Sequence, residues 1–245
     1  MSSIRIRFIR GDEVKFISHL DLMKTFESAI RRSGLPIAYS QGFNPHPQMV
    51  FGLPLPVGVT SEAEYADFEL AEEICPDEFL ERLNKQMPSG LKIDDAGIKT
   101  SRENIMATIA YASYDVLAES KMGITLIIEK TDALMSKPEI LVKKQGKKDV
   151  RTIDIKQMII SLNIKDRGHE SFCISMLLRA GSVANLRPEL LISGINELTG
   201  SDIKVLKVNR KGLFVNKGQG THPEKTGMSL FDEVATNPLD NDVLM

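Results

Sequence analysis

The sequence predicts an α+β protein built from two ferredoxin-like α/β sandwiches in tandem, each with an antiparallel sheet. Three observations predict it. Period-two and helical patterns follow one another as β-α-β-β-α-β over the first hundred residues. The same order recurs with one extra strand over the second hundred. A chain of 245 residues also suits two domains of about 100–150 residues better than one. The expected domains are 1–103 with a long Pro/Gly loop at 35–60, 104–211 with a basic hairpin, and a partly mobile tail at 212–245.

In the first domain, Ile4, Ile6 and Phe8 alternate with Arg5 and Arg7, so a half-buried strand has an apolar face and a wet one. Gly11–Asp12 makes a turn. Ser18 as N-cap and Asp21 three residues on form a capping box. Leu22, Met23, Phe26, Ala29 and Ile30 then recur at helical spacing. Arg31 and Arg32 suit the negative end of the dipole and Gly34 supplies the stop, so a helix is expected over 19–33. The segment Ser33–Ser61 carries no Asp, Glu, Lys or Arg and holds five prolines, which forbid a long helix. Gln48–Leu53 reads as a strand ended by Pro54, and Tyr65–Leu70 as a second. Pro76 at a first turn, with Asp77 and Glu78 behind it, opens a helix to about Met87. Leu91–Lys99 closes the domain as a strand.

The second half is read as a strand at Ile105–Leu117, then an ambiguous Lys121–Leu134. The β-branched residues of that segment favour a strand and its position favours a helix. Glu139–Lys143 and Asp149–Ile155 flank a turn at Gly146, as in a hairpin. Ser171–Leu178 is a strand, Pro188–Leu198 a helix stopped by Gly200, and Ile203–Val208 a strand.

A hydrophobic content of 42% with 26% charged residues is globular and excludes a disordered chain. No run of 18 apolar residues suggests a membrane-spanning helix, and MSSIRIRFIR does not read as a targeting segment. Cys75 and Cys173 stand 98 residues apart, so they form no CxxC and fit a reduced, cytoplasmic protein. The net charge of −2 conceals blocks of +3 over 1–50, −8 over 61–95, +5 over 137–167 and +4 over 201–217. Such blocks can present a positive surface to a polyanion despite the balanced sum. The tightest is KKQGKK, four lysines in six residues at a turn tip.

Several segments together resemble a known family. They are S-H-L-D at 18–21, R-R-x-G-L-P at 31–36, Y-S-Q-G-F-N-P-H-P at 39–47, L-P-L-P-x-G at 53–58 and E-Y-A-D at 64–67. D-x-K at 154–156 and L-R-P-E at 186–189 match more weakly. The chain resembles the uncharacterised bacterial radical-SAM-linked family over about 1–210. That resemblance implies a partner, because family members occur fused to or beside a radical-SAM enzyme with a cobalamin-binding-like domain. This chain has no CxxxCxxC motif, so it matches the accessory part. No cofactor is expected in this chain; an iron–sulfur cluster, S-adenosylmethionine and cobalamin are expected in the partner.

His19 opens a helix beside Asp21, and His46 is held between two prolines. If the 35–60 loop folds over the helix start, His19, Asp21 and His46 become candidate acid–base residues. Each also has an ordinary structural explanation, and two histidines with one aspartate lack metal-ligand spacing, so no metal site is assigned. Candidate substrate contacts in the first domain are Arg31, Arg32, Tyr39, Ser40, Gln41, Gly42, Phe43 and Asn44, with Tyr39 and Phe43 able to stack on bases. In the second they are Lys143, Lys144, Lys147, Lys148 and Arg151, which suit phosphate. The expected function is an accessory protein of a radical-SAM enzyme that binds or presents RNA and has no independent catalytic activity. The alternatives are an RNA-processing or RNA-modifying enzyme using His19 and His46, and a scaffold whose acidic 61–95 surface docks the partner.

Overall fold

The computed structural model describes residues 2–146, 149–168, 170–215 and 234–235. The fold is α+β, with mostly antiparallel strands and helices. The described residues divide into two compact units, one within Met1–Ile109 and Gly212–Met245 and the other within Ala110–Lys211.

The first unit runs β1 (Ser3–Arg10), α1 (His19–Ser33), β2 (Met49–Phe51), β3 (Thr60–Glu69), α2 (Pro76–Asn84), β4 (Leu91–Lys99) and a one-turn α3 (Ile105–Thr108). Its strands lie in the order β4-β1-β3-β2, every neighbour antiparallel. Val234–Ala235 adds a short antiparallel pair on the outer edge of β4. Helix α1 starts where its cap dictates. The Ser18 hydroxyl accepts the Asp21 N–H at 3.2 Å and donates to Asp21 Oδ2 at 2.7 Å. The helix ends at Gly34, whose φ of 62° is left-handed and free of strain only for glycine. Leu22, Phe26, Ala29 and Ile30 bury one stripe against the sheet. There Phe8, Phe26, Phe51, Phe68 and Phe79 meet ring on ring at 5.0–6.2 Å. Burying each such ring stabilises the fold by about 1.5–3 kcal/mol.

The second unit runs β5 (Ile109–Glu119, from Ala110 on), α4 (Ile124–Met135), β6 (Leu141–Gln145), β7 (Val150–Asp154), β8 (Ile159–Gly168), β9 (Ser171–Arg179), α5 (Pro188–Thr199) and β10 (Lys204–Val215, as far as Lys211). The order is β10-β5-β9-β8, while β6 and β7 pair with each other in a separate two-stranded sheet. One device recurs in both units. The Asn84 side chain donates to Ile93 O and accepts the Ile93 N–H, at 2.7 and 2.9 Å. Asn196 treats Ile203 the same way, at 2.8 and 2.9 Å. Each asparagine ties its helix to the start of the following strand.

Several expectations need correction. Strand β8 was not expected at all. The strand expected at Ile105–Leu117 begins with the turn α3, capped by Asn104, whose Oδ1 accepts the Met106 N–H at 2.9 Å. The ambiguous Lys121–Leu134 is helix α4, because Ile127, Thr131 and Leu134 share one buried stripe and packing overrides the β-branched preference. β3 starts five residues early, β10 continues to Val215, and α2 stops at Asn84. Arg5 is the sharpest difference: it sits on the face expected to be wet, yet it is buried. The tail beyond Val215, with His222, lies outside the described residues apart from Val234–Ala235, and so does His169.

Candidate functional site

On β1 the alternation turns Ile4, Ile6 and Phe8 toward the helices, which leaves Arg5 on the opposite face. Register sets Arg5 opposite Asp67 of β3, and Asp67 opposite Val50 of β2. Arg5 Nε and Nη2 donate to the two Asp67 oxygens at 2.7 and 3.0 Å. Lys99 Nζ, from the end of β4, lies 3.0 Å from Asp67 Oδ2. The side-chain exposures are 1% for Arg5, 4% for Asp67 and 11% for Lys99. Charges this dry are tolerated only when paired, and a carboxylate that takes a bidentate guanidinium and an ammonium meets that condition.

Above this trio opens a cleft of about 440 Å³. Lys99, Arg102, Asn104, Gln48, Ser40 and His46 supply its polar lining, with Asp67 and Glu69. Pro47, Met49, Val50 and Ile105 supply the apolar wall. The charge-free loop forms one side because it is laced, not loose. Ala38 donates to Glu69 O at 2.9 Å, Gln48 to Ala38 O at 2.8 Å, and Glu69 to Gln48 O at 3.0 Å. Ser40 N–H reaches His46 O at 2.9 Å, while His46 N–H reaches the Ser40 hydroxyl at 3.0 Å. That closure leaves Gln41, Gly42, Phe43 and Asn44 as an exposed tip, with Phe43 fully exposed and Gly42 at φ 131°.

The acid–base candidates do not assemble. The His19 ring stands edge-on to Phe51 at 5.8 Å. Burial holds its pKa below the ordinary histidine value, Arg10 adds to that, and Glu64 opposes it. Asp21 is exposed and tied to Ser18, whose hydroxyl hydrogen bond lowers its pKa. His46 is exposed, with Nδ1 3.9 Å from Glu27 Oε1, two turns along α1 and about 12 Å of helix rise from His19. No described interaction joins His19, Asp21 and His46. Of the other candidates, Ser40 and His46 line the cleft and Tyr39 is partly exposed beside it, bridged to Pro47. Arg31 is exposed, and Arg32 binds Gln86 O at 2.7 Å, which makes it a clamp on the end of α2.

In the second unit, Lys144 and Arg151 are direct cross-strand partners on the β6–β7 hairpin, both exposed. Lys143 pairs with Glu197 at 3.2 Å and Arg151 with Asp149 at 2.7 Å. The stem is fixed at its base. Asp154 Oδ1 accepts the N–H groups of Ile140 and Lys156 at 2.9 Å each, and these bonds lower its pKa. Val142 is buried and packs on Gly194 of α5. Lys147 and Lys148 lie outside the described residues. Cys75 is exposed and Cys173 buried, both as free thiols. Among the described residues no group of three or more His, Cys, Asp or Glu could hold a metal, and no helix is long and apolar enough to cross a membrane.

The residues missed from the sequence are Asp67, Lys99, Arg102, Gln48 and Asn104. Asp67 stood within one of the resembling segments, E-Y-A-D; the others had no local signal. The family described as "Uncharacterized protein conserved in bacteria (DUF2344)" matches residues 3–188. The chain belongs to this family. The DUF2344 span contains the segments from Ser18–Asp21 to Asp154–Lys156 that carried the resemblance. It includes the cleft and the basic hairpin. None of the curated proteins matches the sequence.

Among solved structures, a Cbf5-Nop10-Gar1 complex is similar at 11% identity and a TM-score of 0.49, covering 86% of this chain and 48% of that one. An H/ACA RNP bound to a substrate RNA containing 2'-deoxyuridine is similar at 10% identity and 0.46, covering 85% and 46%. An archaeal box H/ACA sRNP Nop10-Cbf5 complex is similar at 10% and 0.45, again covering 85% and 46%. The DUF2344 chain thus spans about half the length of these chains, and likeness at this level carries no functional argument.

Proposed function

We propose that this chain is a non-catalytic RNA-binding partner of a radical-SAM enzyme in the bacterial cytoplasm. The observation that carries the RNA reading is the pair Lys144–Arg151, two like charges set directly opposite on an exposed hairpin. Asp149, 2.7 Å from Arg151, offsets part of that charge and water screens the rest, so the two cations stand side by side where one phosphate can accept from both. The hairpin is held out by Asp154 and Val142, so the cations are presented on a fixed stem. The radical-SAM partner is supported by the resemblance of residues 18–67, and any iron–sulfur, S-adenosylmethionine or cobalamin chemistry belongs to that partner. We also read the two units as ferredoxin-like repeats, supported by the orders β4-β1-β3-β2 and β10-β5-β9-β8 and the paired asparagine clamps.

Two rival readings draw less support. An enzyme built on His19 and His46 lacks a shared site, because the two rings have different partners. An acidic docking face is weakened because Glu64 and Asp67 are buried, and Glu78 and Glu81 already pair with Arg82 and Lys85.

The test is binding of labelled single-stranded RNA to the full chain across a salt series. Binding should weaken steeply with salt, and reversing Lys143, Lys144, Lys147 and Lys148 to Glu should flatten the slope by about 0.7 per lost phosphate contact. Unchanged affinity and slope in the reversed variant would sink the RNA reading. A pull-down of the radical-SAM partner that survives nuclease checks the other half, and its loss on nuclease treatment counts against direct contact.

A further inference from the structure

We propose that the cleft over Asp67 is a single-nucleotide site, gripping one phosphodiester with Arg102 and Lys99 while Gln48 and Asn104 face the base. This deepens the RNA reading and rests on it only for the identity of the polymer. The first argument is charge. Arg5, Lys99 and Arg102 carry three positive charges in and under the floor, against the two negative charges of Asp67 and Glu69. One net positive charge remains, matched to one phosphodiester. Asp67 neutralises only part of the Arg5–Lys99 pair, and an ammonium has three donors, of which Lys99 uses one on Asp67. The Arg102 guanidinium has no hydrogen bond or ion pair among the described residues, although it lines the same space.

The second argument is the polar rim. The Gln48 backbone is taken up in the loop lacing, but its side-chain amide has no described partner. Asn104 uses its oxygen to cap α3 and keeps its amide N–H groups available. Amides of this kind recognise the edges of bases. Pro47, Met49, Val50 and Ile105 offer the apolar surface against which a base would lie. The third argument is size. A volume of about 440 Å³ lies at the low end of the roughly 300–1,000 Å³ of small-ligand sites, room for one nucleotide and not for a stretch of strand.

The experiment uses the full chain with dinucleoside monophosphates, each carrying one phosphodiester, followed by calorimetry or amide chemical shifts. The corresponding nucleosides and acetate serve as phosphate-free probes. A dinucleotide should bind, and Arg102→Glu should weaken it about tenfold or more, because one charge-assisted grip is lost. Arg102 is exposed and without a described partner, so that variant should fold, and Lys24→Glu, at a residue outside the cleft lining, should bind like wild type. Gln48→Ala should keep affinity for the phosphate while flattening preference among the bases. Nucleosides or acetate binding as well as the dinucleotide would overturn the site, as would an unchanged Arg102→Glu. Long RNA that binds wild type and Arg102→Glu equally, with no dinucleotide binding, overturns this inference and leaves the hairpin reading standing. Dinucleotide binding without any long-RNA binding does the reverse.

Discussion

Arg5 and Lys144 are both cations on strands, and they are governed by opposite physics. Arg5 is sealed under the cleft, where its charge persists because the Asp67 carboxylate accepts from its Nε and Nη2. Lys144 stands in water, where a neighbour of the same sign is tolerable because solvent screens it. The buried group is therefore held in place by the fold, while the exposed one is free to meet a ligand. A protein that binds a polyanion gains from both: exposed lysines attract it over distance, and a fixed, dry cluster sets where a phosphate sits.

Three changes break or sharpen that contrast. Arg5→Met strands a buried carboxylate beside Lys99 alone and should cost about 3–5 kcal/mol in chemical denaturation. Lys144→Met should move stability by no more than about 0.5 kcal/mol. Equal losses in the two variants would show that the contrast is false. Next in size is Gly194→Ala in α5, whose added Cβ would lie 2.5 Å from Val142 Cγ1. Overpacking of about 1–3 kcal/mol should exceed the gain of about 1 kcal/mol in helix propensity. Amide exchange should then accelerate in β6 and β7 and stay slow in β1; acceleration everywhere would mean that the hairpin is not a separable element.

The smallest effect concerns acid. The folded-state pKa of His19 is depressed by burial, so below about pH 6.5 the unfolded chain takes up a proton that the folded chain resists. Stability should therefore fall as pH drops from 7 through 6.5, and level off below the folded pKa. His19→Gln should flatten that part of the curve, and an unaltered slope would place the acid sensitivity elsewhere.

Local signals read well where the cause was local. Ser18, Asp21 and Gly34 marked both ends of α1, and the closing strand expected at Leu91–Lys99 is β4 with the same bounds. Strand β8 was legible in principle, since Leu162 and Ile164 alternate with Ser161, Asn163 and Lys165, but only Ile159 is buried and the pattern is faint. Helix α4 was ambiguous because Ile124, Thr125, Ile127 and Ile128 favour strands in isolation. Alternation also misjudged Arg5, since it separates apolar from polar faces but does not report what covers the polar one.

The sequence by itself determined the elements with caps, breakers and strict periods, the division of charge into blocks, and the lysine hairpin. These depend on neighbours within a few residues, and such contacts are written in the order of the chain. Only the tertiary structure decided that His19 and His46 serve different surroundings, and that Asp67 gathers Arg5 and Lys99 beneath a cleft. Those residues come from strands distant in sequence. Antiparallel register joins Arg5 to Asp67 across 62 positions, a pairing that no local spacing encodes.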